Sequence, residues 1–353
     1  MIHTEQALDV YDVTIVGGGP AGMYAAFYSG MRAMRTKIIE AKQELGGFMR
    51  TYPEKIVWDV GGVGPVRCEQ LIDILEKQAR TFDPTIVFGQ AVAGMNRRED
   101  GILELTSTTG ELHYTRTVIL CAGRGMTQVQ KLDIHGANRY ELTNLHYTVT
   151  DLSRFADKRV LISGGGDSAV DWANEMEQLA REVIVVHRRS EFSAHEQPVA
   201  QMRASAKVMT PYRISGLYGR GDRIERVTLA HSETGALDEV EVDEVVVSHG
   251  YDRDFGNLVN WGLEREDYGV SVDAKMRTNL PGVFGAGDFI TYGSKVRLIA
   301  GAFNDAVLAV NSAKMYLEPA AMDMAGVSSH NERFFEKNKA VIEQENRQKQ
   351  HHT

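Results

Sequence analysis

The chain has 353 residues, 43% hydrophobic and 25% charged, ordinary proportions for a globular protein and length enough for two domains. Its 39 Lys and Arg against 48 Asp and Glu leave a formal charge of −9, which argues against nucleic acid or an anionic membrane as the main partner. The only cysteines, Cys68 and Cys121, lie in separate segments and form neither a disulfide framework nor a C-x-x-C dithiol, so both are expected to be buried structural thiols.

Residues Met1 to Asp9 carry no basic region followed by an apolar stretch, and no apolar run is long enough to span a bilayer, so a soluble cytoplasmic protein is expected. From Tyr11 an apolar strand breaks into Gly17-Gly18-Gly19-Pro20-Ala21-Gly22 and continues as a helix over Met23 to Ser29. This is the strand, turn and helix of a G-x-G-x-x-G dinucleotide fingerprint. Gly17 permits the turn, Gly19 lets the backbone approach a pyrophosphate, and Gly22 lets the helix pack on its strand. A second strand, Thr36 to Glu40, ends in an acid 18 positions after Gly22, where a ribose hydroxyl needs an acceptor. Between Gly89 and Tyr114, short alternating segments around a Glu-Asp-Gly turn at 99 to 101 predict a small antiparallel hairpin layer. Thr117 to Leu120 is an apolar strand ending in Cys121-Ala122-Gly123, where the chain is expected to leave the first domain.

A second fingerprint follows. Arg159 to Ser163 is a strand, Gly164-Gly165-Gly166-Asp167-Ser168-Ala169 is G-x-G-x-x-A, and Val170 to Ala180 is a helix. The next strand, Val183 to Val186, ends not in an acid but in His187-Arg188-Arg189. Guanidinium groups there suit a 2′-phosphate, so NADP is favoured over NAD. Val245 to Gly250 repeats the strand-to-small-residue pattern and marks the return. The fold class is therefore α/β with two Rossmann-like domains: residues 1–122, an inserted nucleotide domain at 123–250, and residues 251–353 completing the first. Hinges near Gly123 and Gly250 would allow rotation. Beyond the return, Gly282 to Asp288 is a short strand ending in a turn, Asp305 to Tyr316 is a helix with an acid at its start, and the polar tail from Asn331 is helix or partly disordered. His351 and His352 are too isolated for a metal site, and none is expected.

Taken together, Gly17–Gly22, Tyr52-Pro53-Glu54-Lys55, Gly164–Ala169 with Trp172-Ala173, His187–Arg189, Gly285-Ala286-Gly287-Asp288 and Ala309-Val310-Asn311 resemble the thioredoxin-reductase-like ferredoxin/flavodoxin–NADP reductases of bacteria, over about Tyr11 to Pro319. The resemblance implies a two-dinucleotide flavoprotein fold with FAD in the first domain and NADPH in the insertion. It implies that Gly17, Gly19, Pro20, Ala21 and Gly22 cradle the FAD phosphates, that Glu40 holds the adenosine ribose, Val92 the adenine through its backbone, and Asp288 the ribityl chain. Gly47, Phe48 and Gly123 would border the flavin, and Tyr52 would stack on it. NADP would take Gly164, Gly166, Asp167, Ser168 and Ala169 for its pyrophosphate and His187, Arg188 and Arg189 for its 2′-phosphate. Family members are homodimers in which one C-terminal segment reaches the partner's flavin, which brings in Ser329.

Several positions depart from the family pattern. Phe48 follows Gly46-Gly47 where Gln or Lys is usual, Thr127 stands where an aromatic is common, Asn304-Asp305 replaces a Gly-Glu pair, and Val327 takes the place of a tail aromatic, with His330 three positions on. No side-chain nucleophile or acid is expected to act, because the cofactors carry the chemistry. Reduction of ferredoxin or flavodoxin is the leading expectation. The rivals are an NADPH-dependent flavin reductase or oxidase using a quinone, ferric chelate or oxygen, and a flavin redox sensor of low turnover. Thioredoxin reductase proper is disfavoured for want of a dithiol.

Overall fold

The strand Val10–Val16 has Val13, Thr14, Ile15 and Val16 all buried, a continuous run that fits the middle of a sheet covered on both faces. It lies at the centre of a computed structural model that describes residues 8–266 and 269–350. Among these the helices are α1 (Pro20–Met31), α2 (Cys68–Ala79), α3 (Asp167–Met176), α4 (Glu196–Ser205), α5 (Ile299–Leu317) and α6 (Phe335–Gln350). The chain divides into two compact units, one built from the segment up to Met126 and again from Phe255, the other from Thr127 to Asp254. The crossings thus fall four residues beyond Gly123 and Gly250.

In the first unit, Thr85–Phe88, Thr36–Glu40, Val10–Val16 and Leu112–Leu120 run parallel in that order, and Val283–Gly285 adds a parallel partner to the end of Leu112–Leu120. Leu103–Ser107 and Val92–Arg97 extend the sheet as an antiparallel hairpin, turning at Gly101 with φ +82°. The predicted hairpin layer is present. Parallel register brings Val16, Glu40, Leu120 and Gly285 to one edge, where open α/β sheets bind ligands.

The second unit is a five-stranded parallel sheet in the order Leu145–His146, Glu244–Ser248, Arg159–Gly164, Glu182–Val186, Lys207–Met209, beside a three-stranded antiparallel sheet. Its strands sort their side chains with period two. Leu161, Ile184, Val186, Val245 and Val247 fill one core, while Val160, Ile162, Val183, Val185 and Val246 join Ala169, Val170, Trp172 and Met176 of α3 in the other.

Helix starts differ from the sequence expectations. Helix α1 begins at Pro20 rather than Met23, because proline's fixed φ suits the first helical position, and α3 begins at Asp167 rather than Val170, directly after Gly166. Helix α3 also stops at Met176 rather than Ala180. Helix α5 begins at Ile299, six residues before Asp305, so the acid lies inside the helix and is fully buried. It is not an N-terminal charge. The tail forms α6, while His351 and His352 and the side chain of Thr127 lie outside the described residues.

Candidate functional site

The two glycine loops owe their shape to close packing. A methyl on Gly22 would meet the Gly17 carbonyl oxygen at 1.9 Å, and one on Gly17, at φ +105°, would meet the Cys121 carbonyl oxygen at 2.5 Å. Helix α1 therefore starts hard against its strand, capped by Gly19 without any side-chain hydrogen bond, which leaves first-turn amides directed at the loop. Helix α3 repeats this after Gly166, where a methyl on Gly164 would meet the Ser248 carbonyl oxygen at 2.5 Å. In that device Ala169 packs against Gly164, while Ser168 is exposed and the Asp167 carboxylate accepts from His195 N–H at 3.1 Å.

Glu40 is buried and fixed by backbone donors: Gly18 N–H gives to Oε2 at 2.6 Å and Lys42 N–H to Oε1 at 2.9 Å. Each oxygen keeps a further lone pair for a ribose hydroxyl. Val92 is buried at a register shift between Val92 and Gly94, where the disrupted ladder leaves local backbone groups for other partners.

The segment Gly46-Gly47 lies over the first loop. Gly46 N–H donates to the Gly18 carbonyl at 2.9 Å, and a methyl on Gly47, at φ +59°, would meet Gly19 Cα at 2.8 Å. We expect Gly47→Ala to destabilise the first unit by about 1–3 kcal/mol through this clash and the positive φ. The check is the flavin-to-protein absorbance ratio after purification together with the melting temperature, and an unchanged ratio with unchanged melting would contradict it.

Following Gly47 in the first unit comes an aromatic and charged group. Phe48 meets Tyr52 edge-on with centroids 5.6 Å apart, the Arg124 guanidinium stacks 4.7 Å over the Phe48 ring, and Arg124 Nε lies 3.5 Å from Asp288 Oδ2. Arg124 stands on the turn Gly123–Gly125, where Gly123 has φ +57° and Gly125 N–H donates to the Ala122 carbonyl at 2.7 Å. Burial pushes the Tyr52 phenol up to about 12, so it stays a neutral donor. Glu54 keeps both carboxylate oxygens buried with no hydrogen-bond partner among the described residues. The aromatic and charged group, and a loop that a single methyl would fill, fit a planar polar ring system with a phosphate tail.

Sequence reasoning missed Arg124 and the group behind Asp288. Buried Asp305 accepts from Gly287 N–H at 3.1 Å and from the Tyr292 hydroxyl at 2.7 Å, and pairs with Lys295, itself almost fully buried. Arg124 carried a signal, a cation between two turn glycines, whereas the Lys295–Asp305 pairing is tertiary and carried none.

In the second unit, His187 Cε1 lies 2.2 Å from where a Gly165 methyl would be, and the ring packs against Phe192 at 5.2 Å. The Ser193 N–H and hydroxyl both donate to the Gly165 carbonyl, at 2.8 and 3.1 Å, closing the segment after Arg188 and Arg189 over the glycine loop. Arg188 and Arg189 are exposed at the end of their strand.

Ser329 is not brought to the first loop of its own chain. The segment 322–334 is tied to the other end of α1: Arg32 donates to the Met322 carbonyl, Ala325 N–H to the Tyr28 hydroxyl and Asn331 to the Met31 carbonyl, while Phe334 packs on Phe27 and Phe82. A twelve-residue helix is about 18 Å long, which separates the segment carrying Ser329 from Gly17–Gly22 of the same chain. Ser329, Val327 and His330 are all exposed.

Cys68 and Cys121 are free and buried. Burial, with the Glu54 charge behind it, pushes the Cys68 thiol up to about 11, and burial raises Cys121 as well. At pH 7.5 the Cys68 thiolate is then about one part in three thousand. Iodoacetamide should leave the native protein unmodified and fully active for an hour, checked by intact mass, and inactivation with stoichiometric alkylation would contradict a structural role.

Among the described residues, no helix is long and apolar enough to cross a membrane. The pyridine nucleotide-disulphide oxidoreductase family model matches residues 11–313. The chain is 54% identical over 340 residues to "Ferredoxin--NADP reductase 1" of Bacillus pumilus, covering 96% of this chain and 98% of that one. It is 48% identical to the protein of the same name from Shouchella clausii, with 97% and 99% covered. Among solved structures, Lactococcus lactis thioredoxin reductase matches with TM-score 0.73 at 25% identity over 87% of this chain and 99% of that one. Thioredoxin reductase of T. acidophilum matches in fold, with TM-score 0.74 at 23% identity over 88% and 99%. With both glycine loops built as dinucleotide cradles and the family model spanning both units, the chain belongs to the pyridine nucleotide-disulphide oxidoreductase family.

Proposed function

We propose that this protein carries electrons from NADPH through FAD to ferredoxin or flavodoxin. It is an FAD-dependent NADPH oxidoreductase, and the observation that carries the reading is the pair of dinucleotide cradles in one chain, the second followed by Arg188-Arg189 instead of an acid. FAD, when bound, supplies acceptance of a hydride and its release as single electrons.

The chain's own residues bind and orient. Gly17, Gly19, Pro20, Ala21 and Gly22 would form the cradle that brings the first-turn amides of α1, from Ala21 on, to the FAD pyrophosphate, Glu40 and the Val92 backbone would hold the adenosine, and Asp288, steadied by Arg124, would hold the ribityl chain. Gly47, Phe48, Tyr52 and Gly123 would border the ring. In the insertion, Gly164, Gly166, Asp167, Ser168 and Ala169 would receive the NADPH pyrophosphate, and His187, Arg188 and Arg189 its 2′-phosphate. The absence of a C-x-x-C dithiol, with both thiols buried, supports a carrier that takes electrons singly rather than a thiol relay.

A homodimer in the cytoplasm completes the reading. Exposed Met322, Met324, Val327, Phe335, Val341 and Ile342 offer an apolar surface for a second copy, and the anchoring of residues 322–334 at the far end of α1 favours Ser329 serving a partner's flavin.

The test is a comparison of acceptors at equal NADPH: ferredoxin, flavodoxin, a quinone, a ferric chelate and oxygen. Ferredoxin or flavodoxin should be reduced with the highest kcat/KM. A quinone or ferric chelate outrunning both would move the function to another acceptor.

A further inference from the structure

The strand Glu244–Ser248 runs parallel to Arg159–Gly164, with Ser248 in register with Gly164, so the next residue, His249, stands where the second glycine loop begins. Its ring is held there: His249 Nε2 lies 2.8 Å from the hydroxyl of Ser163, itself almost fully buried at the end of the fingerprint strand. On the other flank, His187 fills the space that a Gly165 methyl would take. Two imidazoles therefore frame Gly164–Gly166, one from each neighbouring strand.

We propose that His249 is a further nucleotide-binding residue of the inserted unit, and that with His187 it takes up a proton when the pyrophosphate of NADP occupies the Gly164–Gly166 loop. The proposal rests on the NADP reading above.

Without nucleotide, the charges around the pair oppose protonation. His249, exposed on one side, is held below the usual imidazole range first by the protein packed against its other side, then by Arg188 and by His187. His187 is lowered first by burial and then by Arg189 and Arg188, partly offset by its hydrogen bond with the Glu191 backbone. Asp167, the acid in the first turn of α3, spends Oδ1 on His195 N–H. Phosphate reverses the balance by adding negative charge where cations dominated, which favours imidazolium. The sign follows from linkage. Binding raises the imidazole pKa, so affinity is unaffected well above the bound pKa, strengthens as pH falls between the bound and free values, and levels off below the free value. The 2′-phosphate itself is almost fully ionised at pH 7.5, and Arg188 and Arg189 already carry their protons, so none of these groups takes up a proton and uptake falls on His249 or His187, which the two variants separate.

The experiment is isothermal titration calorimetry of NADP+ into the flavin-loaded protein at pH 7.5, in buffers of different ionisation enthalpy, for wild type, His249→Gln and His187→Gln. Wild type should take up between roughly 0.3 and 1 proton, and His249→Gln should lose most of that uptake and bind about tenfold more weakly. Ser163→Ala, which keeps the imidazole but removes its tether, should bind more weakly while retaining uptake. The proposal is overturned if wild type takes up no proton, or if uptake persists in His249→Gln and disappears only in His187→Gln. If NADP+ gives no binding heat with any of the proteins, the NADP reading fails and this inference fails with it; ordinary binding without uptake removes this inference alone.

Discussion

Replacing Asp305 with Ala should lower the stability of the first unit by about 3–5 kcal/mol, because it leaves the Lys295 ammonium buried without its partner. In a protein of this size each kcal/mol moves the midpoint by roughly 2–4 °C, so melting should fall by about 10 °C. The loss is structural and functional together. Asp305 also receives the Gly287 N–H and the Tyr292 hydroxyl, and so fixes the turn that presents Asp288. Its hydrogen bond and burial push the Tyr292 phenol up to about 12, burial being the larger cause, so that partner remains a donor across the working pH range. Flavin content should fall with stability. The double variant Asp305→Ala with Lys295→Met should recover much of the melting temperature but not the flavin content, because it removes the stranded charge without restoring the Gly287 hydrogen bond. Differential scanning calorimetry with flavin absorbance checks both halves. A single variant within 1 kcal/mol of wild type would show that the pair is dispensable.

Replacing Arg188 and Arg189 together with Ala should reduce kcat/KM for NADPH about a hundredfold while changing that for NADH by less than about threefold. Charge-assisted hydrogen bonds to a phosphate contribute roughly 1.5–3 kcal/mol each, and 1.4 kcal/mol is a factor of ten, so a hundredfold is a conservative figure for two. The effect should fall on KM rather than kcat, because the 2′-phosphate is held alike before and during hydride transfer. Steady-state kinetics with both nucleotides decides it. Equal losses for NADPH and NADH would mean that the arginines support the loop rather than read the 2′-phosphate.

What the sequence revealed follows the range of the forces involved. The glycine fingerprints were legible because their demands are local: Gly22 against Gly17 and Gly17 against Cys121 admit no side chain wherever the rest of the chain goes. The strand Thr36–Glu40 was legible to the residue for the same reason, a short apolar run ending in the acid that the cradle needs. Helix α5 was misread at its start because Leu298 offers no side-chain cap and Gly301 interrupts the first turn, so Asp305 looked like the first N-terminal signal. Its true partners, Lys295 and Tyr292, lie in the preceding loop, and nothing in the spacing announces that this loop folds back on the helix. Arg124 and His249 were passed over because each gains meaning only from tertiary neighbours, Phe48 and Asp288 for one, Ser163 and the glycine loop for the other. Ser329 was assigned by resemblance, and the contacts of residues 322–334 anchor its segment at the end of α1 away from the first glycine loop of the same chain.

The most direct test of the electron path is an anaerobic titration of the purified yellow protein with NADPH and, separately, NADH, followed by oxidised ferredoxin or flavodoxin, with the visible spectrum recorded throughout. Stoichiometric bleaching by NADPH, much faster than by NADH, and recovery of the oxidised spectrum on adding the carrier are expected. A spectrum that NADPH leaves unchanged would contradict the two-nucleotide electron path altogether.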